Sequence, residues 1–261
     1  MTEARYTTSR KWLARAERVI PGAHHLSGRM LTTPERSPMY FARGHGCRIA
    51  DVIVTFDGLV DRAGRVVFCT SHVYDSGIME VRAGALDGFY YSLRSIPPAL
   101  EQVGRRALAA FALRQRFFHL EFFARPDGTY VALEMNVRPP GGFTTDMMNC
   151  ACDFDVYALW AAVMLGGSLE DFSYERKFFT AHAGRRHERA YKHSPEALAG
   201  QLSDTLVLVN RIPDAFAVTM GNTMYLLRHR RLEPLLDAIR RVQQPAPGSS
   251  NAEESDASCV P

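Results

Sequence analysis

No apolar run in this 261-residue chain approaches the roughly 18–20 residues that cross a membrane as a helix. The longest, residues 157–167, is too short and is expected to form a buried helix. The N-terminus also lacks the apolar core of a signal peptide, because Arg5, Arg10, Lys11, Arg15 and Arg18 interrupt it. The expectation is a cytoplasmic protein with no membrane partner. Cysteine is sparse. Cys47, Cys69, Cys150, Cys152 and Cys259 are odd in number and form no Cys-x-x-Cys. Cys150 and Cys152 flank a single alanine, poor spacing for a zinc knuckle, so the cysteines read as free thiols in a reducing compartment. Excess charge of one sign is missing too: a net charge of +3 is too small to argue for nucleic acid. Lysine is scarcest among the basic residues and occurs only at Lys11, Lys177 and Lys192. Any chemistry that depends on a lysine has few positions to choose from.

What is present is a globular composition. Hydrophobic residues make up 46% and charged residues 23%, which excludes global disorder and allows one large or two small domains. Apolar spacing predicts a helix over 9–19, ended by Pro21-Gly22, and then a polar, proline-punctuated loop over 23–39. Two short strand-like pieces fall within 40–56. A hairpin is expected from strands at 53–56 and 65–71, with 57–64 as its Asp-Gly turn. Residues 96–114 read as a helix opened by Pro97-Pro98. Strands at 117–123 and 130–137 flank Arg125-Pro126-Asp127-Gly128, a second hairpin. Helices at 155–165, 195–202 and 232–242 follow, with strand candidates at 177–183 and 223–227 and an apolar segment at 205–209. The Pro/Ser/Glu-rich end is expected to be a disordered tail.

The chemistry concentrates in the second hairpin. Its first strand carries His119-Leu120-Glu121. Its second carries Leu133-Glu134-Met135-Asn136-Val137-Arg138 and runs into Pro139-Pro140-Gly141-Gly142. Alternate side chains of a strand share a face, so His119 pairs with Glu121, and Glu134 with Asn136 and Arg138. Two carboxylates, an amide oxygen and a guanidinium can then converge on one patch. Such hard oxygen ligands suit Mg²⁺ completed by substrate phosphates, and a nearby arginine can hold a phosphoryl oxygen. An ordinary exposed sheet face accounts for any one of these residues. It does not account for the set followed by Arg-Pro-Pro-Gly-Gly, costly sequence for a plain hairpin but suited to a loop whose backbone approaches a ligand closely.

These residues resemble the ATP-grasp superfamily, in which a glutamate on one core strand and Glu-x-Asn-x-Arg on the next bind two magnesium ions and the terminal phosphates of the nucleotide. The resemblance extends from about Val52 to Gly167 and includes Phe56-Asp57-Gly58-Leu59. It implies an α+β fold, a mostly antiparallel sheet with packed helices, forming the C-terminal half of an ATP-grasp fold. It implies ATP and Mg²⁺ (or Mn²⁺) as cofactors, with Glu121, Glu134 and Asn136 as metal ligands. Arg138 would be the catalytic residue, stabilising the phosphoryl group or an acyl-phosphate, and with those three it would bind the nucleotide. The implied reaction is ATP-dependent carboxylate–amine or carboxylate–thiol ligation of a small carboxylate substrate. Asp146, Asn149, Asp153 and Asp155 fit the segment that follows; Asp146 is a candidate substrate ligand and, preferred, a candidate helix cap.

The superfamily also has an earlier half with a lysine-bearing lid. Only about fifty residues precede the matching region here, short for a domain plus a lid, and Lys11 is their single lysine. The expectation is an incomplete unit, weakly active alone, with a partner chain as a possible source of the lid. Those first residues resemble something else. Ser9-Arg10-Lys11-Trp12-Leu13-Ala14-Arg15-Ala16, Val19-Ile20-Pro21-Gly22, Pro38-Met39-Tyr40-Phe41 and Gly44 to Asp51 look like the N-terminal arm of a class III pyridoxal-phosphate aminotransferase of the glutamate semialdehyde aminomutase type. The implied organisation is an aminotransferase-like arm at 1–51 and an ATP-grasp-like metal and phosphate region at 52–167. An α/β extension of the same unit follows at 168–243, and a tail at 244–261. Two alternatives stay open: a non-catalytic nucleotide- and metal-binding module, and an aminotransferase relative. The second is disfavoured, since no lysine lies in a Schiff-base-like context.

Overall fold

The structure is a computed structural model that describes residues 52–74 and 87–248. The helix expected over 9–19, the aminotransferase-like arm and residues 249–261 of the expected tail lie outside the described residues. The chain divides into Met1–Arg48 and Ile49–Pro261, and every described residue belongs to the second unit.

That unit is built on one nine-stranded sheet in which every pairing is antiparallel. The strands are β1 (Val52–Val60), β2 (Val66–Thr70), β3 (His72–Tyr74), β4 (Phe89–Ser92), β5 (Arg116–Ala124), β6 (Tyr130–Asn136), β7 (Phe179–Arg185), β8 (Leu206–Arg211) and β9 (Thr223–His229). Their order is β6-β5-β1-β3-β4-β7-β9-β8, with β2 paired to β1 beside this path. The helices are α1 (Pro98–Ala110), α2 (Thr144–Cys152), α3 (Val156–Leu165), α4 (Pro195–Gln201), α5 (Asp214–Met220) and α6 (Leu232–Gln243). This is the expected α+β arrangement.

Strand alternation decides which helices cover which face. Phe56, Phe118, Leu120, Phe122, Ala181, Ala183, Tyr225 and Leu227 point to one side, in the same cluster as Leu100 and Leu108 of α1, Leu198 of α4 and Leu235, Ala238, Ile239 and Val242 of α6. The α6 residues recur at i, i+3, i+4 and i+7, a single apolar stripe. α1 comes so close to β1 that a Cβ on Gly104 would lie 2.3 Å from the Phe56 ring. The opposite face packs on α2 and α3 through Leu59, Phe68, Phe117, Met148 and Val156. Near β7 and β9 it packs Tyr90, Met147, Met224 and Leu226. The same face carries Thr55, Asp57, His119 and Glu121, the alternate residues of β1 and β5.

Several local expectations are corrected. The first hairpin turns at Asp61, not Asp57. Asp61 Oδ1 accepts the backbone N–H groups of Ala63 and Arg65, while β1 runs straight through Asp57-Gly58. Gly58 reflects close strand approach, since a Cβ there would meet the Phe68 carbonyl oxygen at 2.0 Å. β3, β4 and α2 were not anticipated. The two strands are too short to show a period, and Thr144–Cys152 is a poor helix sequence held by burial against β7. α3 buries only Val156, Leu159 and Val163, leaving Tyr157, Met164 and Leu165 exposed, so it is not the wholly buried helix expected. Asp146 caps nothing: Phe143 holds the N-cap position of α2, and Asp155 caps α3 by accepting from the Tyr157 and Ala158 N–H groups. The expected tail starts later than residue 244, because Gln244 and Ala246 hydrogen-bond the backbone of Lys192 and Ala190. Among the described residues no single helix is long and apolar enough to cross a membrane; α2 and α3 are bent by 100° where they meet.

Candidate functional site

The second hairpin forms as its sequence demands. Arg125 and Thr129 close the turn, Gly128 takes a φ of +78°, and Asp127 Oδ1 accepts the Thr129 N–H. Counting back from that turn, Ala124 faces Tyr130, Phe123 faces Val131 and Phe122 faces Ala132. A regular ladder would then set Leu133 opposite Glu121. Instead the register shifts by one residue, so Glu134 faces Glu121, Met135 faces Leu120 and Asn136 faces His119. Leu133 is the extra, bulged residue. On the other side of β5, Thr55 of β1 faces Glu121 and Asp57 faces His119.

Cross-strand neighbours on one face stand about 4.5–5.5 Å apart at Cβ. Glu121, Glu134 and Asn136 are therefore brought together as expected, on the open end of the sheet where β6 is the edge. Glu121 keeps 20% of its side chain exposed, and Glu134 is exposed. Arg138 lies beyond the end of β6, so strand alternation does not govern it. Its Nη1 donates to the Pro139 carbonyl oxygen at 2.9 Å, and the side chain is exposed. The following loop is not uniformly tight. Gly141 has open space around it, while Gly142 needs its φ of +63° and faces Met220.

Sequence reasoning missed the buried half of the site. Asp57 is fully buried and accepts from His119 Nδ1 at 2.6 Å, from His72 Nδ1 at 2.7 Å and from the Thr55 hydroxyl. His119 reaches on with Nε2 to Glu121 Oε1 at 3.0 Å. Both His119 nitrogens face carboxylates, which only accept, so both carry hydrogen and the ring is an imidazolium. Burial disfavours that charge, but Asp57 and then Glu121 outweigh it and raise the His119 pKa to about 10. Burial likewise pushes the Asp57 carboxyl up, and the His119 charge with the His119 and His72 hydrogen bonds brings it down to about 2. Removing one partner of such a buried pair costs about 3–5 kcal/mol, because the other charge stays behind. The available signal was a charged residue at an inward position of two otherwise apolar strands, Val-Thr-Phe-Asp-Gly-Leu-Val and Phe-Phe-His-Leu-Glu-Phe-Phe.

The other candidates lie apart. Asp146 is half-buried in the first turn of α2, where desolvation raises its pKa. Asn149 accepts the Val156 N–H, and Asp153 takes ion pairs from Lys177 at 3.2 Å and Arg228 at 3.0 Å. Two surface hollows, of about 610 Å³ at Arg94 and Arg176 and about 520 Å³ at Phe178 and Arg228, do not include the hairpin. Among the described residues the Glu121–Glu134 patch lies at the β6 edge of the sheet with Glu134 exposed.

No protein-family profile and no curated protein matches the sequence. Solved structures do match the architecture. An L-amino acid ligase from Bacillus licheniformis superposes with a TM-score of 0.57 at 13% identity, over 74% of this chain and 52% of that one. Phosphoribosylglycinamide synthetase from Anaerococcus prevotii gives 0.53 at 10% identity, over 71% and 50%. The phosphoribosylaminoimidazole carboxylase ATPase subunit from Aquifex aeolicus gives 0.51 at 14% identity, over 74% and 58%. The described fold is part of an ATP-grasp fold. This chain spans about half the length of these ATP-grasp neighbours. Glu121 and Glu134 lie opposite each other on adjacent strands of this sheet.

Proposed function

We propose that the open face of β5 and β6 holds a Mg²⁺–nucleotide, with Glu121, Glu134 and Asn136 as the protein's cation ligands. The observation that carries this reading is the placement of Glu121 directly opposite Glu134. Like charges facing each other across two strands destabilise a sheet unless something neutralises them. Glu134 makes no hydrogen bond or ion pair among the described residues, and Glu121 commits only Oε1, to His119.

The donor set fits Mg²⁺. It is all oxygen, from two carboxylates and one amide. A site of two carboxylates and an amide is what Mg²⁺ uses when substrate phosphates and water complete its shell. Metal and nucleotide are therefore expected to bind together and weakly apart. When bound, the metal would supply charge neutralisation on the phosphoryl oxygens. Arg138 heads the loop next to β6, and its guanidinium, engaged among the described residues only with a neighbouring carbonyl, is our candidate for the phosphoryl group.

The reaction we assign to this architecture is ATP-dependent ligation of a small carboxylate to an amine, the class its resemblance implies. The open face favours a second reading for the chain by itself, a nucleotide- and metal-binding module without turnover. Titration of ADP or ATP with and without Mg²⁺ or Mn²⁺ tests the proposal. Affinity that appears only with the metal is the expected result, and equal affinity in its absence would refute it.

A further inference from the structure

Glu121 sits on β5 between β1 and β6, and among the described residues its carboxylate makes one polar contact, with His119 Nε2 at 3.0 Å. That contact is the end of a fixed chain. His119 Nδ1 is held by Asp57 Oδ1 at 2.6 Å, and Asp57 Oδ2 is held by His72 Nδ1 at 2.7 Å and by the Thr55 hydroxyl. Thr55 in turn accepts the His72 backbone N–H at 3.0 Å. The members sit on β1, β3 and β5, adjacent strands of one sheet, and Asp57, His72 and His119 are all buried. Rotating the His119 ring by half a turn would put carbon where both nitrogens stand and break both bonds, so the ring has one orientation.

We propose that Asp57 and His119 are positioning residues that fix the Glu121 carboxylate for the cation, with one oxygen tied down and the other offered outward. The inference rests on the cation-site reading above. The arrangement parallels the orientation of first-layer ligands by outer hydrogen bonds, whose removal typically costs roughly 10–100-fold in metal affinity.

The test is Mn²⁺-dependent binding of ADP to the full chain, measured calorimetrically and by the electron paramagnetic resonance of free Mn²⁺. His119→Phe, which keeps the volume and removes the donor, and Asp57→Asn are expected to lower the Mn²⁺-induced gain in ADP affinity about tenfold. Without the metal, ADP binding should stay as weak as in wild type, and His119→Gln, which restores a donor toward Glu121, should recover most of the loss. A purely structural role would not produce that split or that rescue. Wild-type protein supplies a measurement that needs no variant: the side-chain ¹⁵N resonances of His119 should both be protonated and should shift on adding Mg²⁺ and ADP. If the wild type binds Mn²⁺–ADP and Glu134→Gln weakens it, while the His119 variants and resonances are unaffected, the positioning role is overturned alone. If neither wild type nor Glu134→Gln responds to the metal, the cation site itself is overturned.

Discussion

Glu121 and Glu134 face each other across β5 and β6 because Leu133 bulges out of the ladder between them and the turn. The turn alone would set Leu133 opposite Glu121, and every later residue of β6 would present its other face. A single extra residue therefore decides whether Glu134 and Asn136 join His119 and Glu121 or turn away from them.

Deletions on either side of Glu134 separate the two cases. Removing Leu133 gives a regular ladder in which Glu134 still faces Glu121, so metal-dependent nucleotide binding should survive. Removing Met135 keeps Glu134 in place but sends Asn136 to the opposite face and moves Arg138 by one residue. Binding should then fall by at least tenfold, about 1.4 kcal/mol. Nucleotide titration of the two deletion variants checks this, and equal losses would show that the register is not what matters.

A pH effect is expected from a different residue. His182 is buried between Tyr90 and Phe143, with ring centroids 5.1 and 6.5 Å away. Burial holds its pKa at about 4, against 6.5 for an ordinary histidine, despite a hydrogen bond to the Met220 backbone. As pH falls below 6.5 the unfolded chain takes up this proton first, so folding stability drops until the pH reaches the folded-state value near 4. The limiting loss is on the order of 3 kcal/mol. Asp57 acts in a lower window, its contribution fading only as pH falls from 3.8 towards 2. Thermal melts of His182→Phe between pH 7 and pH 4.5 should therefore lose most of the acid-side slope seen in wild type. An unchanged slope would assign it elsewhere.

Much of this was legible in the sequence. The hairpin and its turn chemistry follow from alternation and from a short list of turn residues, whereas the meeting of Glu121 with Glu134 and Asn136 depends on the bulge. The bulge was not, since nothing in Ala132-Leu133-Glu134 marks which residue a ladder will skip. Asp57 was misread because Asp-Gly is a strong hairpin signal, while the glycine serves close strand approach. His72 and Thr55 depend on β3 lying next to β1, a long-range pairing that a three-residue strand cannot announce. Arg138 was placed with the carboxylates by carrying strand alternation beyond Asn136, where the strand ends.

Turnover by the isolated 261-residue chain should be slight. Phosphoryl transfer needs the reacting groups shielded from water, and here Glu134 and Arg138 stand exposed on an open face. Purified chain incubated with ATP, Mg²⁺ and a panel of amino acids should release little ADP above background. Robust amino-acid-dependent ADP formation would mean that the face is closed by something the described residues do not show.

The central claim is that Glu121 and Glu134 share a cation that carries a nucleotide, and Glu134→Gln tests it most directly. The substitution keeps size and hydrogen-bonding capacity, removes one negative charge, and affects a side chain with no protein partner among the described residues, so stability should hold. Isothermal titration of Mg²⁺–ADP into wild type and Glu134→Gln is predicted to show affinity reduced at least tenfold, about 1.4 kcal/mol, with a metal-free thermal stability no lower than that of wild type. Equal Mg²⁺–ADP affinity in the two proteins would contradict the account.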